Sequence, residues 1–427
     1  MRSMNMKAAI IGLDGVPIEL VKDLTSRGVM PGLRDILKEG ELRKLQSTVP
    51  PNSAASWTSM TTGKNPGEHG VYGFTDFVPG TLSVRYHYAS RLKAQPFWAR
   101  NPALRTLVVN LPASYPAQPL NGVHISGFVS PCLRGAVYPS SFHDALAKLG
   151  YMIDVEAPAT PNDYGRFIAD LNTSLHRRVE ATERHLQRGW DILFMVLTGT
   201  DRIGHYLWEA YRDDNHEHHE AFLDYFRQVD EAIEHLNGLL GEDTPLMMLS
   251  DHGMGESRVS LNLNTLLRRS GHLATSGTEE NYYSLEPGTK AFASETNKIY
   301  LNRVGRFPRG SVTEDAAERI TDELNDLLLG TLFRGSRIVK RIYTGGEIYS
   351  GPYTDASPDL IVIPEKGFSL KTRLTGDRLF SVDGLTGTHT DDDAFLFLRG
   401  ENAACVPESL NIQDAIAALN GAGGLSL

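Results

Sequence analysis

The chain has 427 residues, of which 41% are hydrophobic, so it can bury a large core and form two or three domains of ~150 residues. Its 52 acidic residues outnumber 42 basic ones, and the net charge of -10 argues against a broad surface for nucleic acid or anionic lipid. A small anionic partner is compatible with this balance where metal ions supply local positive charge.

Cys132 and Cys405 are the only cysteines, too few and too far apart for a disulfide framework or a Cys-based zinc site. Any metal site must therefore use histidines and carboxylates, and a reducing compartment is expected. The first residues, MRSMNMKAAIIGLDG, fit a strand followed by a carboxylate better than a signal peptide. Since no run approaches the roughly 18 apolar residues of a membrane span, we expect a cytoplasmic protein without a membrane partner.

The predicted elements alternate between strands and helices. Apolar runs of strand length lie at residues 8–13, 105–111, 192–197, 245–249 and 360–363. Amphipathic helices are predicted between them, at residues 18–26, 172–188, 220–240 and 313–329. This alternation is typical of an α/β sheet that is buried on both faces.

A small inserted domain is predicted at residues 268–343. This stretch lacks the strand-then-carboxylate pattern found elsewhere, and glycines punctuate its first part. It combines a short predicted strand at 298–302 with a helix, which indicates an α+β insertion that could cap the rest. Residues 1–267 and 344–427 are predicted to form the α/β core.

Polar residues follow three of the predicted strands, at the point where each strand ends. Asp14 follows the first strand, Asp201 comes shortly after the strand at 192–197, and Asp251 with His252 follows the strand at 245–249. The carboxyl ends of parallel strands form the edge at which open α/β sheets bind ligands. We therefore expect these side chains to converge if the strands are parallel neighbours.

These residues have the chemistry of a metal site. Asp201 and His205 are four positions apart, a spacing that brings both side chains to one side of a helical turn. The adjacent Asp251 and His252 can both face an ion from a sharp turn. The full set of candidate ligands is Asp14, Asp201, His205, Asp251, His252 and His389. Three carboxylates and three imidazoles suit zinc, with manganese as the alternative, whereas magnesium alone would prefer fewer imidazoles.

The order of these motifs resembles the type I phosphodiesterase and nucleotide pyrophosphatase family of the alkaline phosphatase superfamily. A carboxylate follows the first strand, a serine lies in a proline-rich segment that ends in T-G-x-x-P-x-x-H-G, and D-x-x-G-H, D-H-G and G-x-H follow. The matching segments are residues 11–15, 50–53, 62–70, 200–205, 250–254 and 387–389. Residues 73–77, 298–302 and 357–361 are most similar to the bacterial and archaeal branch of predicted phosphohydrolases and phosphomutases.

The resemblance implies both a fold and a set of roles. The fold would be α/β, an alkaline phosphatase-like three-layer sandwich with a mostly parallel central sheet and a small α+β cap insertion. Ser53, nine positions before Thr62, corresponds to the nucleophile and would also bind one ion. Of two divalent ions, one would be held by Asp201, His205 and His389, and the other by Asp14, Asp251 and His252. The Phe-Pro-Asn that usually follows the nucleophile is Ala-Ala-Ser at residues 54–56, so the nucleotide specificity of some relatives is not implied.

The implied activity is metal-dependent hydrolysis of a small phosphorylated substrate through a covalent Ser53-phosphoryl intermediate, with phosphodiester or nucleotide pyrophosphate bonds favoured. Residues 50–70 contain no arginine, which also favours a diester, because a dianionic monoester needs more neutralisation by a guanidinium. The alternatives are a cofactor-independent phosphomutase, a phosphomonoesterase or a phosphonate hydrolase. A non-enzymatic metal-binding or nucleotide-binding module would be expected to lack a ligand or the nucleophile. The absence of a Cys- or Ser-x-Pro-x-Arg segment disfavours a sulfatase.

Other charged residues have two interpretations. Lys64, Arg202 and Lys290 are candidate substrate contacts, or else surface charges. The histidines at positions 216, 218 and 219 could suggest a metal cluster, but adjacent helix positions point to different faces. The three acids at residues 391–393 favour a solvated turn before the apolar run that follows them.

Overall fold

The computed structural model describes residues 7–241, 243–276, 279–382, 384–423 and 426–427. The chain forms two compact units, each discontinuous in sequence. The first unit comprises Met1–Asn65, Tyr88–Met254 and Gly384–Leu427, and the second comprises Pro66–His87 and Gly255–Asp383.

A sheet of nine strands among the described residues forms the centre of the first unit. In chain order, its strands are β1 (Ala8–Leu13), β2 (Glu41–Gln46), β3 (Thr106–Leu111), β4 (Gly122–Ser126), β5 (Val137–Tyr138), β6 (Ile192–Leu197), β7 (Leu246–Leu249), β8 (Ala394–Arg399) and β9 (Ser409–Asn411). Their order across the sheet is β9-β2-β8-β7-β1-β6-β3-β4-β5. The neighbours from β7 to β4 are all parallel, whereas β8 and β5 are antiparallel to the strands beside them.

Helices cover both faces of this sheet. They are α1 (Ile18–Ser26), α2 (Pro31–Ile36), α3 (Ser53–Thr62), α4 (Phe97–Arg100), α5 (His143–Leu149), α6 (Tyr164–Leu186), α7 (Gly199–Arg212), α8 (His219–Leu239) and α9 (Ala415–Gly423). One face packs against α1, α2 and α5 to α8, and the other against α3, α4 and α9.

The strand β1 shows why the sequence forms such a sandwich. All six of its residues are buried, and because side chains alternate across a strand, they supply two cores. Ala9, Ile11 and Leu13 join the core on one face, and Ala8 and Ile10 join the core on the other. The predicted α/β sandwich with a mostly parallel sheet is therefore confirmed.

Most predicted element bounds agree with the structure to within two residues. The largest difference is α6, which begins at Tyr164 rather than at residue 172. Thr160 and Asp163 form a capping box just before it, and Phe167 and Leu171 extend the buried face of the helix by two turns. The apolar spacing that predicted this helix therefore continues further toward its N-terminus.

The second unit is built from helices and small sheets in which most strand pairs are antiparallel. One sheet contains, in order, Ala291–Ala293, Lys298–Leu301, Leu360–Pro364 and Val339–Thr344. The other strands are Thr75–Phe77 with Val84–Tyr86, and Leu332–Phe333 with Ser336–Arg337. Gly367–Lys371 and Phe380–Ser381 lie beside the strand Gly253–Asn262, which belongs to this unit from Gly255 onward. Its helices are Pro66–His69, Leu263–Arg269, Glu314–Leu329 and Gly345–Ile348.

This division differs from the predicted insertion at 268–343, for two physical reasons. The strand Leu360–Pro364, expected in the main sheet, pairs instead with Lys298–Leu301 and Val339–Thr344. In addition, the Phe77 ring packs edge-on against Phe292 and Tyr300, with ring centroids 5.6 and 5.2 Å away. Segments on both sides of the predicted insertion therefore belong to the second unit.

Within the described part of the chain, none of the helices combines the length and the apolar character needed to cross a membrane.

Candidate active site

Asp14 and Asp201 lie near each other because they follow neighbouring parallel strands. Leu13 at the end of β1 is paired with Leu197 at the end of β6, and the Asp14 N–H donates to the Leu197 carbonyl at 3.1 Å. The Thr200 hydroxyl lies 2.6 Å from the Asp14 carbonyl oxygen and 2.8 Å from that of Leu197. These contacts fix the start of α7, on which Asp201 and His205 are one turn apart.

Asp251 and His252 follow β7, on the other side of β1. The Asp251 Oδ1 accepts a hydrogen bond from the Gly15 N–H at 3.2 Å, which ties the turn after β7 to the turn after β1. His389 comes from a separate short strand, Gly387–Thr390. The first unit thus brings together the side chains that strand ends and motif order predicted.

The three imidazoles present the same nitrogen to this site. In each ring, Nδ1 lies within hydrogen-bonding distance of a backbone carbonyl, which can only accept, so Nδ1 must carry the proton. The pairs are His205 with Gly387 at 3.1 Å, His252 with Gly253 at 2.9 Å, and His389 with Pro51 at 3.3 Å. The neutral ring then turns the lone pair of Nε2 toward the site, which is the form in which histidine binds a metal.

The Nε2 atoms of His205 and His389 are only 2.8 Å apart. With both Nδ1 atoms protonated, two lone pairs would face each other, so a positive charge is needed between them. Asp201 Oδ1 lies beside both atoms, 3.4 Å from His205 Nε2 and 3.2 Å from His389 Nε2. A proton or a metal ion can satisfy this arrangement.

Two overlapping groups have the spacing of metal-ligand sets. Asp14, Asp251 and His252 form one group, and Asp201, His252 and His389 form the other, with the ligand atoms of each group within 4.8 Å of one another. His252 therefore lies between the two groups, whereas the family resemblance implies that it binds one ion. Asp201 Oδ1 and Asp251 Oδ2 are buried and accept no hydrogen bond from any residue that the structure describes. Unsatisfied buried carboxylate oxygens beside imidazole lone pairs fit divalent cations.

Ser53 is the first residue of α3 and lies against these groups. The Asn52 side chain caps the helix by accepting from the N–H groups of Ala54 and Ala55 at 3.0 and 3.4 Å. The Ser53 Oγ is 3.0 Å from His252 Nε2 and 3.4 Å from Asp14 Oδ1. Ser53 is buried, and the cap fixes where its helix begins.

The two central carboxyl groups have opposite pKa shifts. Burial and the charges of Asp251 and Asp201 hold the pKa of Asp14 well above its ordinary value. Burial also acts to raise the pKa of Asp201, but the adjacent imidazoles, chiefly His205 and His389, lower it overall. In the chain without metal, Asp14 is therefore in an unfavourable environment for a carboxylate, and Asp201 is in a favourable one.

The imidazoles differ as well. Burial lowers the pKa of His205 to about 4 and also lowers the pKa of His252. Burial acts in the same direction on His389, but the Asp201 carboxylate raises the pKa of that ring overall. His205 and His252 are thus neutral near pH 7, and His389 is the one of these three rings whose pKa is raised.

The candidate substrate contacts have different surroundings. Arg202 donates to both carboxylate oxygens of Asp154, and its guanidinium lies over the Phe128 ring at 4.4 Å. Lys64 is exposed after the end of α3, and Lys290 belongs to the second unit. These positions identify Arg202 as a cation in the first unit that is held in a fixed orientation.

The histidines near the start of α8 do not form a metal group among the described residues. His219 Nδ1 lies 2.8 Å from the Ala210 carbonyl oxygen, and its Nε2 is 3.6 Å from Asp214. His218 packs edge-on against Tyr164. The acids at 391–393 form a bend directly before β8, as expected, but they are half-buried rather than fully solvated.

Two residues that support the site were not predicted from the sequence. The Trp57 indole donates to Asp14 Oδ2 at 3.1 Å, and Asp154 orients Arg202. Trp57 could have been found, because it lies four positions after Ser53 and so on the same face of α3. Asp154 lies in an irregular segment far from Arg202 in sequence, and no local signal marks it.

The sheet and the ligand groups at its carboxyl edge define an α/β protein with alkaline phosphatase-like architecture. A sequence profile of the type I phosphodiesterase / nucleotide pyrophosphatase family matches residues 8–392, so the chain belongs to that family. It is accordingly a hydrolase that acts on phosphoric ester or phosphoanhydride bonds. A search of curated protein sequences finds no significant match.

Solved structures share the fold at low sequence identity. Phosphonoacetate hydrolase from Sinorhizobium meliloti 1021 has a TM-score of 0.64 and 17% identity, covering 98% of this chain and 96% of that chain. Murine ectonucleotide pyrophosphatase / phosphodiesterase 5 has a TM-score of 0.57 and 14% identity, covering 99% and 96%. Wild-type alkaline phosphatase PafA has a TM-score of 0.59 and 12% identity, covering 98% and 96%.

The opposite pKa shifts predict opposite effects of two isosteric substitutions on the chain without metal. Ionised Asp14 opposes folding at every pH above its raised pKa, so Asp14→Asn should raise the melting temperature by a few degrees at pH 8. This gain should shrink as the pH falls and the wild-type carboxyl takes up its proton. Ionised Asp201 stabilises the fold at pH 8, so Asp201→Asn should lower the melting temperature there.

Thermal unfolding in the presence of a chelator, measured at several pH values, tests both signs. The same direction of change for the two variants at pH 8 would show that the charges of the site do not have the assigned environments.

Proposed function

We propose that the chain hydrolyses phosphodiester or nucleotide pyrophosphate bonds with two divalent metal ions and Ser53 as the nucleophile. One observation carries this proposal. Three imidazoles, each with Nδ1 bound to a backbone carbonyl, direct Nε2 toward three carboxylates, and the Ser53 Oγ lies 3.0 Å from one of these nitrogens. This combination provides ligands for cations and a hydroxyl next to them.

The division of ligands between the ions follows the family resemblance. Asp14, Asp251 and His252 would hold one ion, and Asp201, His205 and His389 the other. Three imidazoles and three carboxylates favour zinc, and manganese is the alternative. Bound there, two divalent ions would lower the pKa of the serine hydroxyl and neutralise charge on the transferring phosphoryl group.

We infer that Ser53 attacks phosphorus in line with the leaving oxygen. As the first residue of α3, it lies at the end of the helix where the dipole favours negative charge. In the first step, a bond forms between Ser53 Oγ and phosphorus while the bond from phosphorus to the leaving oxygen breaks, and the hydroxyl proton ends on the departing group. In the second step, water replaces the serine oxygen, and Ser53 regains a proton.

The diester preference rests on the cations near the site. Residues 50–70 contain no arginine. The guanidinium of Arg202 already donates to both carboxylate oxygens of Asp154, so much of its charge is neutralised. A phosphodiester carries one negative charge fewer than a monoester and needs less neutralisation beyond the two ions.

The two-ion proposal predicts the metal content of the purified protein. We expect close to two equivalents of zinc or manganese after metal supplementation, because the clustered carboxylates are otherwise uncompensated. Asp251→Asn should lose about one equivalent and nearly all activity, whereas His218→Ala should lose neither, since that ring lies outside the ligand groups. Elemental analysis measures both, and less than half an equivalent in the wild-type protein would contradict the proposal.

The role of Ser53 predicts a separation of metal binding from turnover. Ser53→Ala should keep both ions and the fold, because the other ligands are intact, but should lower kcat by orders of magnitude. Acid quenching of the wild-type enzyme during turnover, followed by peptide mass spectrometry, should find the phosphoryl group on Ser53. Ser56, one turn further along α3, gives a matched control, and a label there or on another hydroxyl would reject the assignment.

The diester preference predicts the ratio of two specificity constants. For a phosphodiester and a monoester with the same nitrophenyl leaving group, kcat/KM should be larger for the diester, since this ratio reports differential binding of the transition states. Pyrophosphates and phosphonates complete the comparison. A monoester preference of more than about tenfold, roughly 1.4 kcal/mol of barrier, would contradict the diester proposal and leave the metal site untouched.

A further inference from the structure

We propose that Trp57 is a positioning residue, whose indole N–H fixes the orientation of the Asp14 carboxylate for metal binding. This inference rests on the proposed two-ion site. It concerns a residue that neither binds an ion nor touches the substrate in that proposal.

The hydrogen bond divides the two oxygens of the Asp14 carboxylate between different partners. Oδ2 accepts from the Trp57 Nε1 at 3.1 Å, whereas Oδ1 faces the Ser53 Oγ at 3.4 Å and His252 Nε2 at 3.7 Å. The side chains of Trp57 and Asp14 are almost completely buried, at 1% and 2% exposure. The indole therefore restrains rotation of the carboxylate and leaves Oδ1 directed at the serine and the imidazole.

The indole is itself held tightly. A Cβ atom at Gly12 would lie 2.4 Å from the Trp57 Cη2, so the ring packs directly on the backbone of β1. The ring also lies near Phe194 of β6, with centroids 6.0 Å apart. Contacts with two strands of the sheet leave the indole little freedom, so it is a rigid donor.

The position of Trp57 also couples the nucleophile to the ligand. Trp57 lies four residues after Ser53, so both side chains project from one face of α3. One helix therefore places a hydroxyl beside Asp14 Oδ1 and an N–H beside Asp14 Oδ2. Groups that orient metal ligands in this way typically change metal affinity by about 10- to 100-fold when they are removed.

A purely structural role would give a different result from a positioning role. A buried indole N–H without an acceptor lowers the stability of the fold. In a purely structural role, Asp14 would do no more than supply that acceptor. The two roles separate if the N–H is removed while the shape of the ring is kept. Replacing Trp57 site-specifically with 3-benzothienylalanine, in which sulfur takes the place of the N–H group, makes this change.

The measurement is the affinity of the full-length protein for Zn²⁺ or Mn²⁺, by competition with a chelator of known affinity. We expect the affinity for one of the two ions to fall at least about tenfold, and the affinity for the other ion to stay within about twofold of wild type. The same replacement at Trp190, whose indole donates to the His185 carbonyl, is a matched control and should change neither affinity.

If the replacement at Trp57 leaves the affinity for both ions unchanged, the positioning role is overturned. If the replacements at Trp57 and Trp190 lower the metal affinity equally, the positioning role is overturned too, because the effect would then follow from general destabilisation. A double-substitution cycle gives a second test: with Asp14→Asn already present, Trp57→Phe should weaken metal binding no further, and an additive loss contradicts the proposal. If the wild-type protein binds no ion, the proposed function itself fails. That outcome is distinct from the outcomes for the Trp57 variants, because it is measured on the wild-type protein alone.

Discussion

The contact between His205 Nε2 and His389 Nε2, 2.8 Å apart, is the constraint on which the rest of the site depends. Backbone carbonyls hold the opposite nitrogen of each ring, so neither imidazole can turn its proton toward the other without losing a hydrogen bond. A positive charge must lie between the two rings. Asp201 beside them compensates for that charge, and its lowered pKa has the same origin.

The architecture delivers these groups at a cost in stability. Parallel strands end at one edge of the sheet, so the side chains that follow β1, β6 and β7 meet there whether or not they attract one another. Asp14 and Asp251 are both buried, and their charges repel. Without cations, such a cluster is less stable than neutral residues of similar shape, and this local conflict is typical of functional sites.

The sequence was sufficient to predict the strands at the centre of the sheet and the residues at their ends. Both follow local rules: a buried strand is an apolar run, and the spacing from Asp201 to His205 is one helical turn. The extent of the second unit was not predictable in this way, because Phe77 and the strand Leu360–Pro364 join it through contacts with distant residues. The same applies to Asp154, whose pairing with Arg202 has no local signature.

In the proposed active site, two cations lie close together, with His252 between their ligand groups. Electron paramagnetic resonance during titration with Mn²⁺ tests this most directly, because two manganese ions that share a site interact magnetically. We expect the second equivalent to replace the signal of isolated Mn²⁺ by that of a spin-coupled pair, and His252→Ala to abolish this change. Two equivalents that bind and give independent mononuclear signals would contradict it.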